Sequence, residues 1–309
     1  MKKITLLCVL WCCALPVWAA QVSDLKITVL STMLTEGTGL GEWGYAALVE
    51  VDGRKLLFDT GARPDTVLSN ARELGIDLAD VEDVILSHHH GDHTGGLLTL
   101  RNAFKSSNPA ALSRVHIAAG FFSLEGSTRG NLVARRVEWE AAGITFIEHE
   151  SRVELLPGVW LTGPVPRHTD EANYPPNNVI RLPDGSVPDN IPDDQALVFA
   201  TADGIIVLTG CGHAGVINLV DYARELSGVQ TLHAVIGGLH IFDASDERIV
   251  WTGEQLKAGG VRYLLLGHCT GVESTLRLRE VVGLDRSSAG YGAIGSTYEH
   301  GVGIDAGRL

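Results

Sequence analysis

The chain has 309 residues, of which 45% are hydrophobic and 20% are charged, the composition of a folded globular protein. A chain of this length can bury a large core within one α/β domain, so its length requires no second domain. The formal net charge of −13, with no basic run to offset it, excludes a general binder of nucleic-acid backbones. We therefore expect a small-molecule substrate and no nucleic-acid partner.

Residues 1–20 have the pattern of a secretory signal sequence. Lys2 and Lys3 form the positive start and residues 4–15 are apolar. Either Val17-Trp18-Ala19 or Trp18-Ala19-Ala20 supplies the small-residue end of a cleavage site. The apolar run is shorter than a bilayer span of roughly 20 residues, and no later segment is long and apolar enough to be one. We expect a bacterial periplasmic or secreted protein that has no membrane contact after cleavage.

The first part of the remaining chain predicts mainly strands. Runs rich in β-branched and large apolar residues predict strands over 25–33, 45–51, 55–58, 84–86, 115–118 and 144–147. Helices are expected over 64–74 and 95–105. Asp52-Gly53 predicts a hairpin turn between the second and third strands.

Residues 163–194 are polar, rich in proline and without periodicity, which predicts a long functional loop inserted at the active site. Beyond it, strands (196–201, 205–208, 232–236, 261–266) alternate with helices (216–226, 246–257, 272–282). Strands that come first in runs and later alternate with helices indicate an α/β (α+β) fold. We expect two mixed sheets packed face to face, with helices outside, in one domain over 21–309.

A histidine cluster follows the short strand over 84–86. It contains His88, His90 and His93, together with Asp92. Neutral imidazole and carboxylate are the ligands that suit zinc or iron. A sharp turn at Gly91 would aim the side chains of His88 and His90 to one side. The side chains of Asp92 and His93 would then face a neighbouring point. Two metals roughly 3.5–4 Å apart can be held in this way, so a two-metal centre is favoured over a surface histidine tract.

This motif, His88-x-His90-x-Asp92-His93, resembles the signature of the metallo-β-lactamase superfamily. Leu57-Phe58-Asp59-Thr60-Gly61 matches a strand-end pattern of the same superfamily. The resemblance implies an αββα sandwich with a metal cleft at one sheet edge. It also implies that His88 and His90 bind one metal while Asp92 and His93 bind the other. Two divalent ions are expected, with zinc favoured and iron or manganese as alternatives.

Further ligands are expected at the ends of later strands. His213, His240 and His268 each follow an apolar strand, and strand ends at one sheet edge converge in space. His268 resembles the last metal-binding histidine of the superfamily, so we assign it to the metal of Asp92 and His93. We assign His213 to the metal of His88 and His90.

Other residues are expected to support the ligands or to contact the substrate. His240 is a candidate for substrate contact or for a hydrogen bond to a ligand. Asp92 is expected to orient or deprotonate a water molecule as well as bind metal. Asp59 and Asp194 are expected behind the ligands, and His89 is expected to point away from them.

Cys211 departs from the resemblance. Many hydrolases of the superfamily carry a metal-bridging aspartate in a Thr-Gly-Asp pattern, whereas this chain has Thr209-Gly210-Cys211. Cys211 is a thiolate ligand, a small buried residue, or a disulfide partner of Cys269. The change makes assignments like glyoxalase II or a typical lactonase less attractive.

Four segments resemble a narrower branch, that of the archaeal synthases of 7,8-dihydropterin-6-methyl-(ribofuranosyl)aminobenzene phosphate and their bacterial relatives. They are 193–197, 209–215, 237–240 and 267–271.

We expect first a hydrolase that uses a metal-bound hydroxide on an ester, amide or phosphoester. The alternatives are a pterin-type C–N bond-forming transferase or lyase, and an exported protein that binds metal or ligand without turnover. The sequence leaves the oligomeric state open.

Overall fold

The computed structural model describes residues 20–123, 125–126 and 130–307. The expected signal sequence, with Cys8, Cys12 and Cys13, therefore lies outside the described residues except for Ala20. Within the described ranges, no helix has both the length and the apolarity that crossing a membrane requires.

Two large sheets and one small sheet account for the strands. The first large sheet has the order β18-β17-β1-β2-β3-β4-β5-β7, and the second has the order β16-β15-β14-β13-β12-β9-β8. The small sheet has the order β11-β10-β6. The strands are β1 Leu25–Ser31, β2 Ala46–Val51, β3 Arg54–Phe58, β4 Asp83–Ile85, β5 Arg114–Ala118, β6 Glu125–Gly126, β7 Thr145–His149, β8 Val153–Leu156, β9 Val159–Leu161, β10 Val179–Leu182, β11 Gly185–Pro188, β12 Ala196–Thr201, β13 Gly204–Thr209, β14 Leu232–Gly237, β15 Tyr263–Leu266, β16 Ala289–Tyr291, β17 Thr297–Glu299 and β18 Gly303–Asp305.

The helices cover the outer faces of the two large sheets. They are α1 Thr66–Glu73, α2 Gly91–Thr94, α3 Leu97–Phe104, α4 Leu132–Ala141, α5 Val216–Ser227, α6 Asp246–Ala258 and α7 Val272–Val282, with a 3₁₀ turn at His268–Thr270. One apolar cluster lies between the sheets and includes Phe58 and Phe199. A second joins the second sheet to α5, α6 and α7, and a third joins the first sheet to α1, α3 and α4. This layering confirms the expected αββα sandwich of mixed sheets.

The expected strands and helices are present within a few residues of their predicted limits. The expectation that 163–194 has no regular structure is wrong, because β10 and β11 form a hairpin there, paired from Val179 with Pro188 to Leu182 with Gly185. Each strand has only four residues, too short for a clear period. The sequence also did not predict α4, in which only Leu132 and Trp139 are buried.

The glycines that end the histidine motif let α2 pack against the loop after β3. A Cβ atom on Gly95 would lie 1.9 Å from the carbonyl oxygen of Ala62, and one on Gly96 would lie 2.4 Å from that of Thr60. The backbone N–H of Gly95 donates to the carbonyl of Gly61 at 2.8 Å. The motif therefore requires glycine at its end to bring the backbone of its ligands close to β3.

We predict that Gly95→Ala lowers the free energy of unfolding by about 1–3 kcal/mol or more, because the added methyl group overpacks a backbone contact. Gly91→Ala is the matched control, since a Cβ there meets nothing within 4 Å. Denaturant unfolding of both variants checks this. Equal stability of the two variants would contradict the packing role of Gly95.

Candidate metal centre

The expected site residues come from strand ends at one edge of the sandwich. β4 leads into the segment with His88 to His93, and β13 leads into Cys211 and His213. β14 precedes His240, and β15 precedes His268. β13, β14 and β15 are parallel neighbours, so their carboxyl ends lie side by side. This topology brings residues that are 180 positions apart into one cleft.

His88, His90 and His213 form the first group of candidate ligands. Their ligand atoms lie within 4.8 Å of one another. The ring of His88 lies 4.6 Å from that of His90 and 4.8 Å from that of His213, between centroids. The Nε2 atoms of all three are buried and have no hydrogen-bond partner. His213 donates from Nδ1 to the carbonyl of Asn173 at 2.5 Å, which leaves its Nε2 lone pair free.

Asp92, His93 and His268 form the second group, with ligand atoms again within 4.8 Å of one another. Asp92 Oδ2 lies 3.4 Å from His268 Nε2 and 3.8 Å from His93 Nε2. The backbone of His268 is held at both ends, because its N–H donates to Thr32 Oγ1 at 3.2 Å and its carbonyl accepts from Tyr291 Oη at 2.9 Å. The structure thus brings all six histidine and aspartate candidates together, three in each group.

Cys211 lies between the two groups. Its sulfur is within 4.8 Å of ligand atoms of His88 and His93, and it forms a further set with His213 and His240. Sγ is 3.1 Å from His93 Nε2. Cys211 and Cys269 are both buried free thiols, so the disulfide interpretation is not the arrangement in the structure. The thiolate interpretation remains a prediction that this position favours.

The histidines of the first group are held in the uncharged form that binds metal. Burial, reinforced by repulsion from neighbouring imidazoles, lowers the pKa of His88 and His213 well below the usual range. Burial likewise lowers the pKa of His90 to about 3. Burial raises the pKa of Asp92, but His93 and His268 outweigh this and keep that pKa far below its usual value. Neutral imidazoles beside a carboxylate form a donor set suited to a divalent cation.

Asp59 and Ser87 fix the ring nitrogens of one ligand from each group. Asp59 accepts from the Ser87 N–H at 2.7 Å, from Ser87 Oγ at 2.8 Å and from His93 Nδ1 at 2.7 Å. Because the Ser87 hydroxyl donates to Asp59, its oxygen accepts from His88 Nδ1, 2.9 Å away. Both histidines therefore present Nε2 as the free nitrogen. The sequence predicted Asp59 behind the ligands but did not single out Ser87.

Asp193 and Asp194 accept hydrogen bonds from residues next to the candidate ligands. Asp193 accepts from the His89 N–H at 2.9 Å and pairs with His89 Nδ1 at 3.0 Å, so His89 is turned away from the metal groups. Asp194 accepts from the Ala214 N–H at 2.8 Å, beside His213. Burial raises the pKa of Asp194 to about 7. Sequence reasoning named Asp194 and missed the role of Asp193, because nothing local pairs it with a histidine 104 positions away.

Backbone strain concentrates in the cleft. Asp59, His240 and His268 have φ values of 58°, 47° and 49°, in the left-handed region that non-glycine residues rarely adopt. Such residues persist where the surroundings fix them, and they cluster at functional sites. Asp59 directly follows β3, and His240 and His268 lie within three residues of the ends of β14 and β15.

A cavity of about 440 Å³ lies next to the first group, because its lining residue Asn173 accepts from His213. His240 lines it, and its ring lies 4.4 Å from that of His213. The other lining residues come from 170–176 of the proline-rich segment and from 242–248. Arg167, in the same proline-rich segment, donates to the carbonyls of His213 and Ile191 at 2.9 and 3.0 Å.

The residues present fit a metal centre. A buried polar atom without a partner costs about 1–3 kcal/mol, and three unpartnered imidazole nitrogens converge in the first group alone. A divalent cation satisfies such atoms at once. Imidazole, carboxylate and thiol are the donors that transition metals such as zinc prefer.

Comparison with known proteins agrees with this site. Residues 44–224 match the family model described as metallo-beta-lactamase superfamily. The chain belongs to the metallo-β-lactamase superfamily, a superfamily of enzymes that usually bind divalent metals. The resemblance carried by the histidine motif is thereby confirmed.

Three similar proteins show which members of the superfamily this chain resembles. The chain is 31% identical to the 7,8-dihydropterin-6-methyl-4-(β-D-ribofuranosyl)-aminobenzene-5'-phosphate synthase of Methanocaldococcus jannaschii, over 75% of this chain and 82% of the synthase. Among solved structures, Tm1679, described as a metal-dependent hydrolase of the β-lactamase superfamily, has a TM-score of 0.68 and 28% identity, covering 84% of this chain and 93% of its own. A diphosphatase of the PhnP family, with 16% identity and a TM-score of 0.51 over 91% of this chain and all of its own, shares the fold.

We predict that Asp59→Asn lowers metal affinity about 10- to 100-fold, because one amide oxygen cannot replace the carboxylate that serves three donors. Asparagine tolerates the positive φ, so the backbone is retained. Chelator competition measures the affinity, with Asp65→Asn as control because exposed Asp65 makes no side-chain capping bond. Equal affinity in both variants would show that Asp59 does not orient the ligands.

Proposed function

We propose that the protein is a metal-dependent hydrolase acting on an ester, amide or phosphoester. The observation that carries the proposal is the pair of adjacent buried donor groups with Cys211 between them. One divalent ion would be held by His88, His90 and His213, and a second by the group of Asp92. Zinc is favoured by the imidazole and thiol donors. The likeness to Tm1679, which is described as a hydrolase, supports the same reaction class.

Bound divalent metals would supply Lewis acidity and lower the pKa of water in the cleft. The chain's own residues supply positioning and proton transfer. The Asp92 side chain is 22% exposed, whereas His93 and His268 are fully buried, so its carboxylate is accessible from the cleft. The carboxylate oxygen that does not bind metal can take a proton from the attacking water. His240 lines the cavity beside His213 and can hydrogen-bond to the substrate.

A pterin-type synthase is the second candidate. The 31% identity to the archaeal synthase, over most of both chains, favours it. Against it stands the leader-like pattern of residues 1–20, from which we propose a periplasmic or secreted location. An exported protein would not meet a cytoplasmic pterin pathway.

We predict that His90→Ala and Asp92→Ala each reduce turnover at least about 100-fold, because metal binding and proton transfer both depend on these side chains. The assay uses the metal-loaded protein on a panel of esters, lactones and phosphodiesters. Metal content is measured in parallel by elemental analysis, and His90→Ala is expected to lose about one of two ions. His149→Ala is the control, since His149 pairs with His116 on another part of the first sheet.

The outcomes separate the candidates. Turnover that survives both substitutions contradicts the hydrolase mechanism. Two bound metals without turnover of any simple substrate, together with turnover of a phosphorylated pterin, would favour the synthase. Bound metal without either activity would indicate a metal- or ligand-binding protein.

We also propose that Cys211 is a thiolate ligand shared by the two metal positions. Cobalt-loaded protein is expected to show a near-ultraviolet sulfur-to-cobalt charge-transfer band, which Cys211→Ser abolishes. Cys269→Ser is the matched comparison, because Cys269 Sγ also lies within 4.8 Å of ligand atoms of Cys211 and His268. It is expected to keep the band, since Cys211 is the cysteine whose sulfur lies near both His88 and His93. A band that is lost in Cys269→Ser but kept in Cys211→Ser would show that Cys269, and not Cys211, is the sulfur ligand.

A further inference from the structure

Two exposed aromatic rings stand beside the metal centre. Trp43 and Phe242 are 46% and 47% exposed, and their rings meet edge to face with centroids 5.5 Å apart. The Trp43 ring lies 5.2 Å from the ring of His268, and the Phe242 ring lies 5.5 Å from the ring of His240. The pair thus reaches from a candidate ligand to a residue that lines the cavity.

The backbone that carries Trp43 is held firmly although its ring is exposed. The preceding residue, Glu42, is buried, and its carboxylate accepts from Ser31 Oγ at 2.7 Å and from the N–H groups of Ala62 and Arg63 at 2.9 and 3.0 Å. At the following residue, Gly44, a Cβ would lie 2.6 Å from the Ala62 nitrogen. The backbone that carries the exposed ring is therefore fixed before any ligand binds, which reduces the entropy lost on binding.

Phe242 is placed in a similar way. Its N–H donates to the carbonyl of Cys269 at 3.3 Å, in the same 3₁₀ turn that contains His268. Gly271 allows the close approach, since a Cβ there would lie 3.0 Å from the Phe242 Cβ. The backbone that carries each ring is thus fixed relative to the metal ligands.

Phe242 lines the cavity together with Tyr174, Pro175 and Pro176. A volume of about 440 Å³ is within the range of small-molecule sites, which are mostly lined by apolar and aromatic groups. A ring system of one or two fused rings fits such a space.

The charges in the cavity disfavour an anion. Asp170 and Asp243 line it together with Arg248. The Arg248 guanidinium is already paired with Asp170 Oδ1 at 3.0 Å and stacks over Trp251 at 4.9 Å. The chain as a whole carries a formal charge of −13. The cavity therefore disfavours an anionic group.

We propose that Trp43 and Phe242 bind a flat, uncharged ring of the substrate and so place its scissile bond at the metal centre. This rests on the proposed hydrolase function and specifies its substrate class. An aromatic contact adds about 0.5–1.5 kcal/mol to binding, which corresponds to about 2- to 12-fold in affinity for each ring.

The test is calorimetric titration of the metal-loaded protein with 2-naphthol, an uncharged two-ring probe. Trp43→Ala and Phe242→Ala are each expected to weaken binding about 2- to 12-fold, and Trp43→Phe to keep most of the affinity. Val302→Ala is the control, because Val302 is 74% exposed and lies beside the turn before β18. Unchanged affinity in both alanine variants overturns the proposal.

Two further probes test shape and charge. 1-Octanol replaces the rings with a chain, and 6-hydroxynaphthalene-2-sulfonate adds a negative charge that is a poor metal ligand. Both are expected to bind more weakly than 2-naphthol, and equal or tighter binding of either one contradicts a site for a flat uncharged ring. Because these titrations need no turnover, they can fail while hydrolysis is confirmed, or succeed while hydrolysis fails.

Discussion

The site depends on the hydrogen bonds of the buried Asp59 carboxylate. This carboxylate joins the end of β3 to the end of β4 through Ser87 and to α2 through His93. Through the Ser87 hydroxyl it also sets the free nitrogen of His88. One ligand of each metal group therefore takes its orientation from a single carboxylate. A fully buried carboxylate is stable only when its donors are present, so folding of this edge and formation of both donor groups are coupled.

The parts of the site that the sequence could predict are those that depend on local pattern. The histidine motif is contiguous and follows an apolar strand, so its ligands could be assigned before any fold was known. His213 and His268 could be placed because each directly follows a buried strand, and the carboxyl ends of neighbouring parallel strands meet at one edge. The αββα layering followed from the order of strands and helices.

The parts that the sequence could not predict depend on contacts between distant residues. Asp193 pairs with His89 across 104 positions, and no local feature distinguishes it from other loop aspartates. Glu42 holds the loop of Trp43 through hydrogen bonds that exist only after β3 is in place. Strands β16, β17 and β18 have three residues each, which is too short for a period to be recognised. Such elements form because the sheet edge beside them is already present.

A bridging aspartate could both bind metal and accept a proton, whereas Cys211 at this position separates these two roles. A thiolate carries the same charge as a carboxylate, but it offers one donor atom and no second oxygen for a proton or a substrate hydrogen bond. Cys211 is 2% exposed and surrounded by imidazoles, so it cannot reach the cavity. Proton transfer in the proposed reaction then falls to Asp92, whose side chain is 22% exposed. If Cys211 binds metal as proposed, the acid–base chemistry of the proposed reaction would be left to Asp92, which belongs to the same donor group as His268, the neighbour of Trp43.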